Sequence, residues 1–182
     1  MSPQCQQEHY LKAELYELMR SDPSIVDFLD RATLDGLWFW NLERPEEEWL
    51  SPKFKEVFGY RDDEVENSSR WWQENIEPDD LKLAVENFER HAEDPEFPYD
   101  QVVRYRHKDG STVWVRCRGL IIRRDGKPVR MLGAHTELTA LEVARRSLER
   151  LYHATPALLH CTDPDGRIEF VSDNWLSHFG YQ

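Results

Sequence analysis

The sequence predicts an α+β domain, an antiparallel sheet with helices inserted after its first two strands, and three observations carry that prediction. Two Asp-Gly turns, Asp109-Gly110 and Asp125-Gly126, separate three runs of alternating apolar and polar residues between Tyr99 and Thr136. Asp-Gly between such runs is the strongest local signal for a hairpin. Two proline-led helix starts, Ser51-Pro52 and Pro78-Asp79-Asp80, stand between these strands and a short aromatic run at residues 37–42. The chain also repeats itself at a shift of 121 residues, from Leu37 on Leu158 to Phe58-Gly59-Tyr60 on Phe179-Gly180-Tyr181.

The elements follow in order. Tyr10, Leu11, Leu15, Leu18 and Met19 keep the spacing of one helical face. Asp22-Pro23 breaks that helix, because proline disfavours helical geometry in the residue before it and suits the first turn of a new helix. A short second helix then carries Ile25, Val26, Phe28 and Leu29. Leu37 to Leu42, bounded by Asp35-Gly36 and Pro45, favours a strand, and Trp49-Leu50 is a second, briefer one. Ser51 caps a helix through Phe54, Val57 and Phe58 that ends at Gly59. The helix opened by Pro78 has Leu81, Val85 and Phe88 on one face and acids at its positive end.

Strands are expected over 99–106, 112–122 and 129–136, and in the middle one Val113, Val115 and Cys117 alternate with Trp114, Arg116 and Arg118. Leu138 to Tyr152 is a helix whose Leu141, Leu148 and Leu151 form a coiled-coil seam of barely two heptads. A short amphipathic linker that docks on its neighbour accounts for the same pattern.

Composition sets the bounds. The 182 residues include 23 Lys plus Arg and 35 Asp plus Glu, a net charge of −12 that argues against a nucleic-acid binder or an anionic membrane surface. The longest apolar run in the body of the chain, Leu37-Trp38-Phe39-Trp40, is far short of the ~20 residues of a membrane helix. No basic segment followed by an apolar one opens the chain, so no secretory signal is expected. Cys5, Cys117 and Cys161 are too few and too scattered for a disulfide framework or a zinc site, which points to a reducing cytoplasm and no bound metal. No phosphate-binding glycine loop, His-Glu-x-x-His, nucleophile elbow or Gly-Gly-Asp-Glu-Phe signature occurs, so no catalytic residue is assigned and the chain is not expected to be an enzyme. Charge is segregated: nine basic residues between Tyr99 and His135 face only three acids. A match to the acidic helical segment, within the chain or across a dimer, explains this better than nucleic acid does.

Taken in order, the motifs resemble the PAS (sensory box) domain family with its PAC segment. The resemblance rests on Leu34-Asp35-Gly36-Leu37, on Ser51-Pro52 through Phe58-Gly59-Tyr60, on Ile76-Glu77-Pro78-Asp79-Asp80, and on Arg104 to Ser111 with Trp114-Val115. Gly126-Lys127-Pro128 with Gly133 continues it, and Glu137-Leu138-Thr139 stands where the family often has Asp-Ile-Thr. It implies a PAS domain of the fold-3 type over residues 30–139, with its PAC segment at about 99–139. It further implies a sheet of five strands in the order 2-1-5-4-3, an N-terminal helical cap at 1–29, a linker helix at 140–152 and the first part of a second PAS domain at 153–182. Members serve as sensory modules at the front of histidine kinases and cyclic-di-GMP enzymes, so a ligand or partner, a homodimer and an output domain in the same polypeptide are expected.

Under the same resemblance, Trp38, Trp40, Phe58, Trp72, Phe88 and Tyr105 are candidates to line a ligand cavity, with core filling as the competing explanation. Glu137 and Thr139 would couple the last strand to the following helix. Leu11, Leu15, Leu18 and Trp114 are the candidate interface, the helix stripe lying against Trp114. The cofactor stays unknown. Haem is disfavoured because His91 is assigned to the solvated end of its helix and His135 to a structural role. Flavin-adduct chemistry is disfavoured because the stretch Glu66 to Trp72 has no cysteine.

Overall fold

The computed structural model describes residues 10–33 and 35–181, so Cys5 and Leu34 lie outside the described residues. The chain divides into two compact units, Met1–Glu137 and Leu138–Gln182. The first begins with α1 (Tyr10–Ser21) and α2 (Pro23–Thr33). The Asp22 carboxylate between them accepts the Ser24 N–H at 2.9 Å, which secures the break. Then come β1 (Leu37–Asn41), β2 (Glu48–Leu50), α3 (Pro52–Val57), a 3₁₀ turn (Asp62–Glu64), α4 (Ser69–Asn75) and α5 (Pro78–Glu93). β3 (Tyr99–Arg106), β4 (Thr112–Arg124) and β5 (Lys127–Glu137) complete an antiparallel sheet of order β2-β1-β5-β4-β3. β4 and β5 each run two residues further towards their turn than expected, leaving Asp125 and Gly126, both at positive φ, as a two-residue hairpin loop.

Sheet parity divides the molecule into two faces. Trp38, Val103, Tyr105, Val113, Val115, Cys117, Met131 and His135 point inward and are buried against α3, α4 and α5. Ser51 ties the layers together: its Oγ accepts the Phe54 N–H of α3 and the Leu37 N–H of β1, and donates to Asp30. The outer face keeps large apolar side chains in solvent, among them Phe39, Trp49, Leu120 and Leu132. Its arginines are matched locally, Arg116 to Asp100 and Arg130 to Glu43, while Arg104 holds Asp80 of α5 through two side-chain bonds of 2.8 Å. Leu11, Leu15 and Leu18 stay 51%, 45% and 42% exposed on α1. Trp114 is half-buried, with the Arg104 guanidinium 5.6 Å over its ring.

The second unit holds α6 (Thr139–Ala154), β6 (His160–Thr162), β7 (Ile168–Val171) and α7 (Asp173–Phe179). Ser172 repeats the cap of Ser51: its Oγ accepts the N–H of Trp175 and of Leu159. The partner of Ser51 in β1 is Leu37, so Leu159, not Leu158, is the structural equivalent of Leu37. The gapless shift of 121 therefore holds from β7 onward and becomes 122 in β6, because the connection between the two strands is one residue shorter. Gly180 ends α7 at φ +77°, as Gly59 follows α3 at +82°. No helix among the described residues is long and apolar enough to cross a membrane.

Candidate functional site

A cavity of about 50 Å³ lies in the first unit between the inner face of the sheet and helices α4 and α5. Its floor starts from β1. Trp38 lies flat against β5 because Gly133 leaves room: a Cβ there would stand 1.9 Å from the indole. The Trp38 ring meets Tyr99 edge-on at 6.3 Å. Trp40, two residues on and therefore on the same face, meets Trp72 of α4 at 6.2 Å and Phe88 of α5 at 5.3 Å. These three rings are only partly buried and, with the exposed Val85, form the mouth.

The position of α4 follows from its anchors. The Asn67 side-chain oxygen accepts the Leu50 N–H at 3.1 Å, Ser68 caps the helix, and Ile76 bridges to Tyr105 of β3. Trp72 thereby reaches β2, and its indole N–H donates to Glu48 Oε2 at 2.7 Å.

Behind the aromatic mouth a mostly apolar wall carries a few buried polar groups. Glu48 is 5% exposed, and burial pushes its carboxyl up to about 8 while the Trp72 bond opposes the shift. Gln101 accepts from Asn87 at 2.8 Å through Oε1, but its Nε2 has no partner. Trp38 Nε1 and His135 Nδ1 are also buried without partners. His135 stacks on Phe54 at 4.7 Å, and burial pulls its imidazole down to about 3. Burial raises Tyr99 and Tyr105 well above the usual phenol range and pushes the Cys117 thiol up to about 12. The thiol is therefore held in its unreactive form. Glu48 is thus the group on this wall that can carry charge near neutral pH.

Trp38, Trp40, Trp72, Phe88 and Tyr105 come together around this cavity, whereas Phe58 does not line it. Phe58 is fully buried beside it, 5.2 Å from Phe54 and Trp71 and 4.8 Å from Tyr105. His91 requires a correction. It is 5% exposed rather than solvated, its Nδ1 donating to the Phe97 carbonyl at 2.5 Å and its Nε2 accepting from the Ile121 N–H at 3.3 Å. The chain turns back over the end of α5 and encloses it. Glu137 closes β5 with its N–H on Asp35 Oδ2 at 2.8 Å, its side chain exposed, and Thr139 is the first residue of α6. Glu48 and Gln101 escape sequence reasoning as site residues, although each had a signal. Glu48 shares the parity of Leu50 in β2, and Gln101 that of Tyr99, Val103 and Tyr105 in β3.

Residues 47–135 match the family described as PAS fold. A crystal structure of a sensory box histidine kinase/response regulator from Burkholderia thailandensis E264 is 32% identical, with 69% of this chain and 98% of that one covered and a TM-score of 0.54. The N-terminal domain of a diguanylate cyclase with PAS/PAC sensor from Marinobacter aquaeolei is 19% identical over 59% of this chain and 97% of that one, at a TM-score of 0.51. A Rhodobacter sphaeroides LOV protein reaches the same TM-score at 16% identity over 75% and 73%. No curated protein matches the chain at a significant level.

Proposed function

Because the chain belongs to the PAS fold family and is a sensory domain like those of histidine kinases and diguanylate cyclases, we propose that its first unit senses a small molecule held in the cavity. In this proposal β5 relays occupancy to α6 and on to an output domain of kinase or cyclase type in the same polypeptide. The observation that carries the reading is the set of buried polar groups in that wall. Four buried residues that line the cavity, Trp38, Glu48, Gln101 and His135, carry hydrogen-bonding groups, and three of them have an atom with no partner. A core built for stability alone is better served by apolar residues at such positions, since each unpaired buried polar group costs about 1–3 kcal/mol. A ligand that completes these bonds shifts the balance between two arrangements of the sheet by its difference in affinity for them. β5 suits the relay because His135 lines the cavity and Glu137, two residues on, stands two residues before the start of α6.

Native mass spectrometry of the chain purified from its own host tests the sensing step. A bound small molecule is the expected result; a bare mass, together with no thermal shift from a metabolite library, would leave an interaction domain without a ligand. The exposed leucine stripe of α1 and the apolar residues of the outer sheet face favour that second reading as a dimerisation surface. For the relay, Glu137→Ala is expected to uncouple output from stimulus in the complete signalling protein. Unchanged output under every stimulus would remove Glu137 from that role.

A further inference from the structure

Glu48 is a buried carboxyl that no cation of the protein answers. Its one hydrogen bond is to the Trp72 indole, no lysine or arginine contributes to its electrostatics, and no salt bridge among the described residues includes it. Ionising a carboxyl buried in this way is expensive unless something of opposite sign arrives. Around it stand three rings, Trp40 directly across the β1–β2 ladder, Trp72 above, and Phe88 packed on Trp40. Aromatic faces attract cations through their quadrupole, most strongly where water is excluded. The remaining ionisable groups of the wall are held neutral, His135 as free imidazole and Tyr99, Tyr105 and Cys117 as the protonated forms. The cavity therefore offers, among aromatic rings, a carboxyl that ionises near pH 8 and, from β3 at the opposite edge of the sheet, the unpartnered donor Nε2 of Gln101, which asks for an acceptor.

We propose that the cavity binds a small organic ammonium ion that also carries a hydroxyl or carbonyl oxygen, the ammonium donating to Glu48 among Trp40, Trp72 and Phe88 and the oxygen accepting from Gln101. The proposal rests on the sensing reading and narrows it to one ligand class. An anion is disfavoured by Glu48, and a purely apolar ligand would leave Glu48 and Gln101 as unsatisfied as before. A bare inorganic cation would gain a single carboxylate and lose its hydration shell. The volume of about 50 Å³ limits the ligand to a few heavy atoms in this conformation.

Ethanolamine is a suitable probe, with ethylene glycol as its uncharged isostere and ethylamine as the analogue without the oxygen. Titration of the complete chain at pH 8, read by calorimetry and tryptophan fluorescence, is expected to show saturable ethanolamine binding at least tenfold tighter than glycol. Glu48→Gln keeps an acceptor for Trp72 and is expected to abolish that preference. Gln101→Leu is expected to bring ethanolamine down to the affinity of ethylamine. Equal binding of ethanolamine and glycol by the unaltered chain overturns the proposal without recourse to any variant, as does a preference that survives in a cooperatively folding Glu48→Gln protein. If none of the three binds while other small molecules raise the melting temperature, sensing stands and the ammonium class is wrong. If nothing binds, both readings fall.

Discussion

Glu48 and His135 face one cavity and are shifted in opposite directions by the same cause, loss of water. For Glu48 the folded value of about 8 lies above the 4.5 of an ordinary glutamate, so the folded chain keeps a proton that the unfolded chain releases. Its contribution to stability is complete below about pH 4.5 and is lost as the pH rises toward about 8. For His135 the folded value of about 3 lies below 6.5, so its contribution is present above pH 6.5 and is lost as the pH falls toward about 3. Thermal melts of the unaltered chain and of Glu48→Gln from pH 4.5 to 8 are expected to diverge, the unaltered chain losing stability relative to the variant as the pH rises. Parallel curves would mean that Glu48 is solvated. Neither shift is legible in the sequence, where Glu48 is one of three consecutive glutamates and its partner Trp72 lies 24 residues on.

Elements differ in how far the sequence reveals them, and the difference follows the range of the interactions that build them. The β3–β4–β5 meander is announced by alternation and by Asp-Gly turns, which act within a few residues. Helix α4 is not among the helices that local patterns announce. Its place depends on Asn67 reaching Leu50 and on Ile76 reaching Tyr105, contacts that no local pattern encodes. The floor of the cavity depends in the same way on Gly133, whose missing side chain admits the Trp38 ring from a strand almost a hundred residues earlier. Gly133→Ala is expected to push the Trp38 indole off the sheet, cost about 1–3 kcal/mol as an overpacked site does, and blue- or red-shift the tryptophan emission. A melt and a spectrum both unchanged would show that the sheet yields there at no cost.

At the scale of the molecule, the two copies of one pattern reach different ends. Leu50, Phe54 and Phe58 are 1%, 1% and 0% exposed, whereas their counterparts Val171 and Trp175 are only partly buried and Phe179 is 54% exposed. The second unit places two strands and a helix where the first has five strands and a helical layer, so the same apolar residues find less to pack on. Exposed leucines on α1 and on α6, at Leu141, Leu148 and Leu151, add apolar surface that a second copy can cover. Sedimentation velocity is expected to show a dimer that Leu15→Glu with Leu18→Glu converts to a monomer. A monomer before substitution, or a dimer that survives it, would move the interface away from α1. The sequence alone determined the family, the strand order through that family, the hairpins, the caps and the repeat, because each is written in residues close together or in a motif order. Tertiary structure alone decided that His91 is enclosed, that Phe58 stands outside the cavity, and that Glu48 and Gln101 stand inside it. Burial and partnership are set by residues that meet only when the sheet and its helices close over one another.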